Sequence, residues 1–87
     1  MTKVVNCKKS KYDLYIGRPS IFGNPFEIGV DGDRKEVIEK FKKWFYAEEQ
    51  KQLRKIAVIH LKDKRLGCWC KPDECHGDII RDYIDAS

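Results

Sequence analysis

Hydrophobic positions along this chain fall into short clusters separated by polar, glycine-rich or proline-rich stretches, and the spacing within each cluster predicts the element. Lys3-Val4-Val5-Asn6-Cys7 and Leu14-Tyr15-Ile16 are β-prone runs flanking the polar turn Lys8 to Lys11, and they predict two strands. From Gly17 to Gly32 glycine and proline recur with no apolar period, which predicts a long ordered loop. Asp33 and Glu36 then stand at capping-box spacing ahead of Val37, Ile38, Phe41, Trp44 and Phe45. Those five form one apolar stripe, with Glu39, Lys40, Lys42 and Lys43 opposite, so a helix is expected from Asp33 to about Glu49. A second helix is expected from Lys51 to about Lys62, with Leu53, Ile56, Ala57 and His60 on one side, although Ile56 to Leu61 also fits a strand.

After the polar turn Lys62 to Arg65, Leu66-Gly67-Cys68-Trp69-Cys70 alternates as a strand does, with Leu66, Cys68 and Cys70 on one face. Pro72 ends it, and Asp73 or Glu74 is positioned to cap a last helix that turns Ile79, Ile80, Tyr83 and Ile84 inward. The whole reads as a single small α/β domain over residues 1–87, with about three strands and three helices.

Composition narrows the class. Apolar residues make up 41% and charged residues 37% of 87, the balance of a globular protein with room for one modest core. No apolar run approaches the roughly 20 residues that span a bilayer, so no membrane association is expected. Met1 to Asn6 carries no secretory h-region, which predicts a cytoplasmic protein whose four cysteines are thiols or thiolates rather than disulfides. The net charge of +4 favours anionic partners without choosing among them. Nucleic acid is not expected, because the Lys8, Lys9, Lys11 cluster and the Lys40, Lys42, Lys43 row lack interleaved aromatic residues. The small core and the aromatic-rich helix predict a homo-oligomer.

Two loops concentrate candidate chemistry. The stretch Cys70 to Asp78, CKPDECHGD, lies where the carboxyl end of a strand meets the amino end of a helix, the usual ligand position in open α/β sheets. There the helix dipole and free amides favour an anion, Gly77 lets a ligand approach the backbone, and Cys75 gains thiolate character beside His76. Cys70, Lys71, Cys75, His76, Gly77 and Asp78 are therefore candidate ligand contacts, with Cys75 and Asp78 the nucleophile or base of an enzymatic alternative. In the loop after Ile16, Arg18 can grip a phosphate, Ser20 and Asn24 can bond a base or sugar, Phe22 can stack, and Gly23 gives close approach. Cys68, Cys70, Cys75 and His76 are the right residue types for zinc. Their C-x-C and adjacent Cys-His spacing departs from paired knuckles, however, so no metal or other cofactor is expected, and a zinc-stabilised interaction module is the remaining alternative.

Both loops resemble a small bacterial and phage family of unknown function marked by YIGRPS-FGNPF and CWC-P-CHGD. Here these are Tyr15 to Phe26 and Cys68 to Asp78. The Pro72 to His76 turn is also similar to that of a second Rossmann-like family, in which an Arg occupies the place of Gly77. The resemblance implies a minimal Rossmann-like domain and, for so short a version, a phage origin that would place it in the host cytoplasm. The expected function is to bind, and in that setting sequester, a phosphate-bearing nucleotide-type molecule of host defence signalling. A nucleotide- or nucleoside-processing enzyme is the alternative.

Overall fold

A computed structural model describes residues 1–87. Three strands, β1 (Lys3–Asn6), β2 (Leu14–Tyr15) and β3 (Arg65–Cys68), form one sheet in the order β1-β3-β2. The last strand is thus the central one, and both of its neighbours run parallel to it, pairing Val4 and Leu14 alike with Leu66. A central parallel strand is covered on both faces, which is why Leu66, Gly67 and Cys68 are all buried. Gly67 is required there because a Cβ would stand 2.7 Å from the Tyr12 ring that lies over the strand.

Three helices complete the fold: α1 (Arg34–Tyr46), α2 (Lys51–Leu61), separated by a single 3-10 turn at Glu48–Gln50, and α3 (His76–Ala86). The predicted capping box is present on α1. Asp33 Oδ1 accepts from the Glu36 amide at 2.9 Å, and Glu36 Oε1 accepts from the Asp33 amide at 3.1 Å. Just upstream, Gly29 (φ +90°) and Gly32 (φ +139°) take conformations that side chains disfavour and so turn the loop into the helix. At the far end Arg54 of α2 donates to the carbonyls of Phe45 and Ala47 at 2.6 and 2.7 Å, satisfying acceptors that α1 leaves open.

The core consists of Ile16, Phe41, Phe45, Ala57, Leu61, Leu66, Ile80 and Ile84 with Phe22 beneath the long loop. α1 and α3 follow the expected stripes. α2 does not: Leu53, Ala57 and Leu61 turn inward at a spacing of four, while Ile56, Ile59 and His60 face out. The expected side containing Ile56 and His60 is corrected by this rotation, which lets the small Ala57 pass close to its neighbours. Phe41 and Phe45 of the aromatic helix are fully buried and supply core, while Tyr46 at its end is exposed.

A tie the sequence does not advertise closes the amino-terminal end of the sheet. Buried Thr2 donates from Oγ1 to Asp85 at 2.8 Å and accepts there from the Asp63 amide at 3.1 Å, fastening β1 to the α2–β3 turn and to the end of α3. Thr2→Val keeps the shape and the Thr2 amide bond to Asp85 at 3.3 Å but removes both hydroxyl bonds to these exposed partners, and a loss of about 0.5–1.5 kcal/mol is expected in urea unfolding. A loss below about 0.5 kcal/mol would show that water replaces the hydroxyl.

Candidate functional site

Parallel pairing of β2 with β3 decides where the two candidate loops meet. The loop after β2 and the turn after β3 both leave the carboxyl edge of the sheet, and between them lies a cleft of about 250 Å³. Arg18, Asn24, Cys70, Cys75 and His76 line it, together with Phe26 and Glu27 from the long loop, Arg34 from the first turn of α1, and Trp69.

The Arg18 wall is held by a short relay. The Trp69 indole N–H donates to Tyr15 Oη at 2.8 Å, and Tyr15 Oη donates to the Arg18 carbonyl at 3.0 Å. Asn24 is the loop's strut: its Oδ1 accepts from the Phe26 amide at 2.9 Å and its Nδ2 donates to the Val37 carbonyl at 3.3 Å, so the loop is pinned to α1. The Arg18 guanidinium pairs with Glu27 at 3.0 Å, and Arg34 donates to the Glu74 carbonyl at 3.2 Å. Both arginines therefore sit on the rim with solvent-exposed partners, and such pairs are weak enough, about 0–1 kcal/mol, for an incoming anion to displace.

The turn after β3 is built differently from expectation. Asp73 and Glu74 do not cap α3; Cys75 does, its Sγ accepting from the Gly77 amide at 3.4 Å, while Asp78 Oδ2 accepts from the Cys75 amide at 3.2 Å. The Cys75, Gly77 and Asp78 amides at the helix start are thus already bonded by their own chain. Gly77 is not a point of ligand approach. It is buried, and a Cβ there would meet Ile16 Cδ1 at 2.6 Å and Val4 Cγ1 at 2.9 Å, so its bareness lets α3 lie on the sheet. Asp78 is ion-paired to Lys71 and to Arg81, which takes Lys71 and Asp78 away from the cleft lining. Ser20 and Phe22 likewise serve the loop itself, Ser20 Oγ accepting from the Phe22 amide at 3.2 Å while the Phe22 ring enters the core, and Gly23 packs against Arg18.

His76 is buried with Nε2 2.9 Å from the Ile16 carbonyl, which can only accept, so Nε2 carries the proton and Nδ1 is left bare. Burial holds its pKa below the usual histidine range, against the opposing pull of the Ile16 carbonyl, and the ring is neutral at pH 7. Nδ1 lies 3.6 Å from Cys75 Sγ. Cys68 and Cys75 are joined as a disulfide, which corrects the expectation of thiols, and the free thiol Cys70 stands beside the pair, the three sulfurs all within 4.8 Å of one another.

A family profile described as "Domain of unknown function (DUF4326)" matches residues 3–86, nearly the whole chain. The chain belongs to the DUF4326 family. It is also 40% identical, over 98% of its length and 79% of the relative's, to an uncharacterized 12.4 kDa protein from the nrdA-td intergenic region of Enterobacteria phage T4. No solved structure matches. No helix of this DUF4326 domain is long and apolar enough to cross a membrane.

Arg34, Trp69 and Glu27 are among the DUF4326 cleft residues that the sequence does not single out. Arg34 carried a signal in its place at the first position of α1, where a side chain reaches back over the preceding loop. Trp69 sits in the predicted strand but is 56% exposed, because β3 ends at Cys68 and the indole turns out to Tyr15.

Proposed function

We propose that the cleft binds a phosphate-bearing nucleotide-type molecule, with Arg18 and Arg34 holding the phosphate and Trp69 and Phe26 forming apolar walls for the base. The observation that carries this reading is the convergence of two guanidiniums and two aromatic side chains on one cleft at the carboxyl edge of a parallel sheet. We read the fold as a minimal Rossmann-like unit on the same ground. The volume, near the lower end of small-ligand sites, suits a single nucleotide rather than an extended strand.

Binding without turnover fits the surroundings of the candidate nucleophile and base. Cys75 Sγ is buried against Cys68, and Asp78 is engaged by Lys71 and Arg81. In a family with a phage member, stoichiometric binding amounts to sequestration of a host signalling nucleotide. Native mass spectrometry against mono-, di- and cyclic nucleotides tests this. The expected result is a complex of unmodified nucleotide at about one per chain. A cleaved or covalently attached product would make the protein an enzyme, and retention of no nucleotide would end the proposal.

A further inference from the structure

We propose that in the reduced chain Cys68, Cys70 and Cys75 are thiolate ligands of a zinc ion, with His76 Nδ1, which stands beside Cys75 but outside the cluster of three sulfurs, as the fourth donor. The inference stands apart from nucleotide binding. Three sulfurs converge within 4.8 Å because β3 ends on Cys68, Cys70 follows two residues beyond it, and a turn closed by the Asp73 amide on the Cys70 carbonyl at 2.8 Å brings Cys75 back to them. This turn achieves what the C-x-C spacing alone would not.

Four further features fit a metal better than a disulfide. The Cα atoms of Cys68 and Cys75 are 7.6 Å apart, beyond the roughly 7 Å that a disulfide bridges without moving the backbone. Backbone amides point at the sulfurs, Cys70 N–H to Cys68 Sγ and Gly77 N–H to Cys75 Sγ, each at 3.4 Å, and such bonds stabilise thiolate charge. His76 donates its Nε2 proton to the Ile16 carbonyl, the outer-shell bond that fixes a ligating imidazole and presents the bare Nδ1. Nδ1 also stands 3.6 Å from Cys75 Sγ. A tetrahedral zinc with bonds of about 2.3 Å to sulfur and 2.0 Å to nitrogen separates those two ligands by roughly the same distance.

The donor set, soft sulfur with one imidazole, selects zinc over magnesium or calcium. A dithiol reductant first opens the Cys68–Cys75 disulfide, supplying two electrons and two protons and becoming a disulfide itself; zinc then displaces the three thiol protons to solvent and forms three Zn–S bonds and one Zn–N bond. Because the ligands join β3 to the start of α3, the ion would also stabilise the cleft turn.

Protein purified without chelator or added metal is to be examined by native mass spectrometry, and the chelated, reduced protein titrated with Co²⁺. Expected are about one zinc per chain and an intense thiolate-to-cobalt absorption. Cys70→Ser, at a half-buried position that the core does not need, should lose most of that absorption, while Cys7→Ser should keep it all. A metal-free chain two hydrogens lighter than the reduced form would establish a disulfide instead and overturn the proposal. So would reduced, folded protein that takes up no Co²⁺, or a Cys70→Ser variant with an unchanged spectrum.

Discussion

Phe41→Ala is expected to remove about 3–5 kcal/mol of stability, the largest loss from any single truncation in this fold. An 87-residue domain has only about 4–13 kcal/mol in total, so the variant should be near its unfolding midpoint at mild denaturant concentration. The size follows from what the ring touches. Phe41 is fully buried, stacks on Phe45 with centroids 5.5 Å apart, meets Trp44 at 5.6 Å, and takes His76 edge-on at 5.2 Å. Those neighbours belong to α1 and to the first residue of α3, so the cavity opens between two elements and neither can close it alone. Urea unfolding should show a lower midpoint with an unchanged slope. Phe41→Leu, which keeps most of the volume, should cost under about 1.5 kcal/mol. If Phe41→Ala cost no more than Phe41→Leu, the ring would not be the bridge between α1 and α3 that its contacts describe.

How much of this was legible in the sequence depends on whether an element's signal is local. The Val37, Phe41, Phe45 stripe and the Asp33–Glu36 box are local, and α1 starts and is capped where they predict, although it ends at Tyr46 rather than near Glu49 because the chain leaves the helix at Ala47 for a 3-10 turn. α2 is displaced in rotation rather than in extent, since Ile56 and Ala57 both fit an apolar face and only packing decides which points inward. The cap of α3 at Cys75 is not legible in the sequence because cysteine is not among the usual capping residues. The available clue was Asp78, three positions on, at the spacing of a capping box. Strand order is the least local feature. Nothing within Leu14 to Ile16 or Leu66 to Cys70 states that they pair in parallel, yet that pairing is what brings Arg18 and Cys75 to one cleft. Gly77 illustrates the opposite trap: a glycine at a helix start suggests ligand approach, but the buried methyl groups of Ile16 and Val4 occupy the space where its Cβ would be.

Removing both rim guanidiniums should abolish nucleotide binding while leaving the fold nearly intact. A charge-assisted bond from arginine to phosphate contributes about 1.5–3 kcal/mol, so Arg18→Ala or Arg34→Ala alone should weaken binding roughly 10- to 150-fold. Together they should exceed about 100-fold, read by calorimetric titration at constant ionic strength. Stability should change by less than about 1 kcal/mol, since the exposed contacts of Arg18 with Glu27 and of Arg34 with Asp73 are all that the folded chain loses in ion pairs. Two controls separate a site from general attraction of a cationic protein. Lys42→Ala with Lys43→Ala removes the same charge from the exposed face of α1, away from the cleft lining, and should leave affinity within about threefold at physiological salt. Glu27→Gln should tighten binding, because Glu27 holds the Arg18 guanidinium that a phosphate must capture, and a neutral amide competes less for it. Equal losses in the arginine and lysine pairs would reduce the interaction to net charge, and the cleft would then need another ligand.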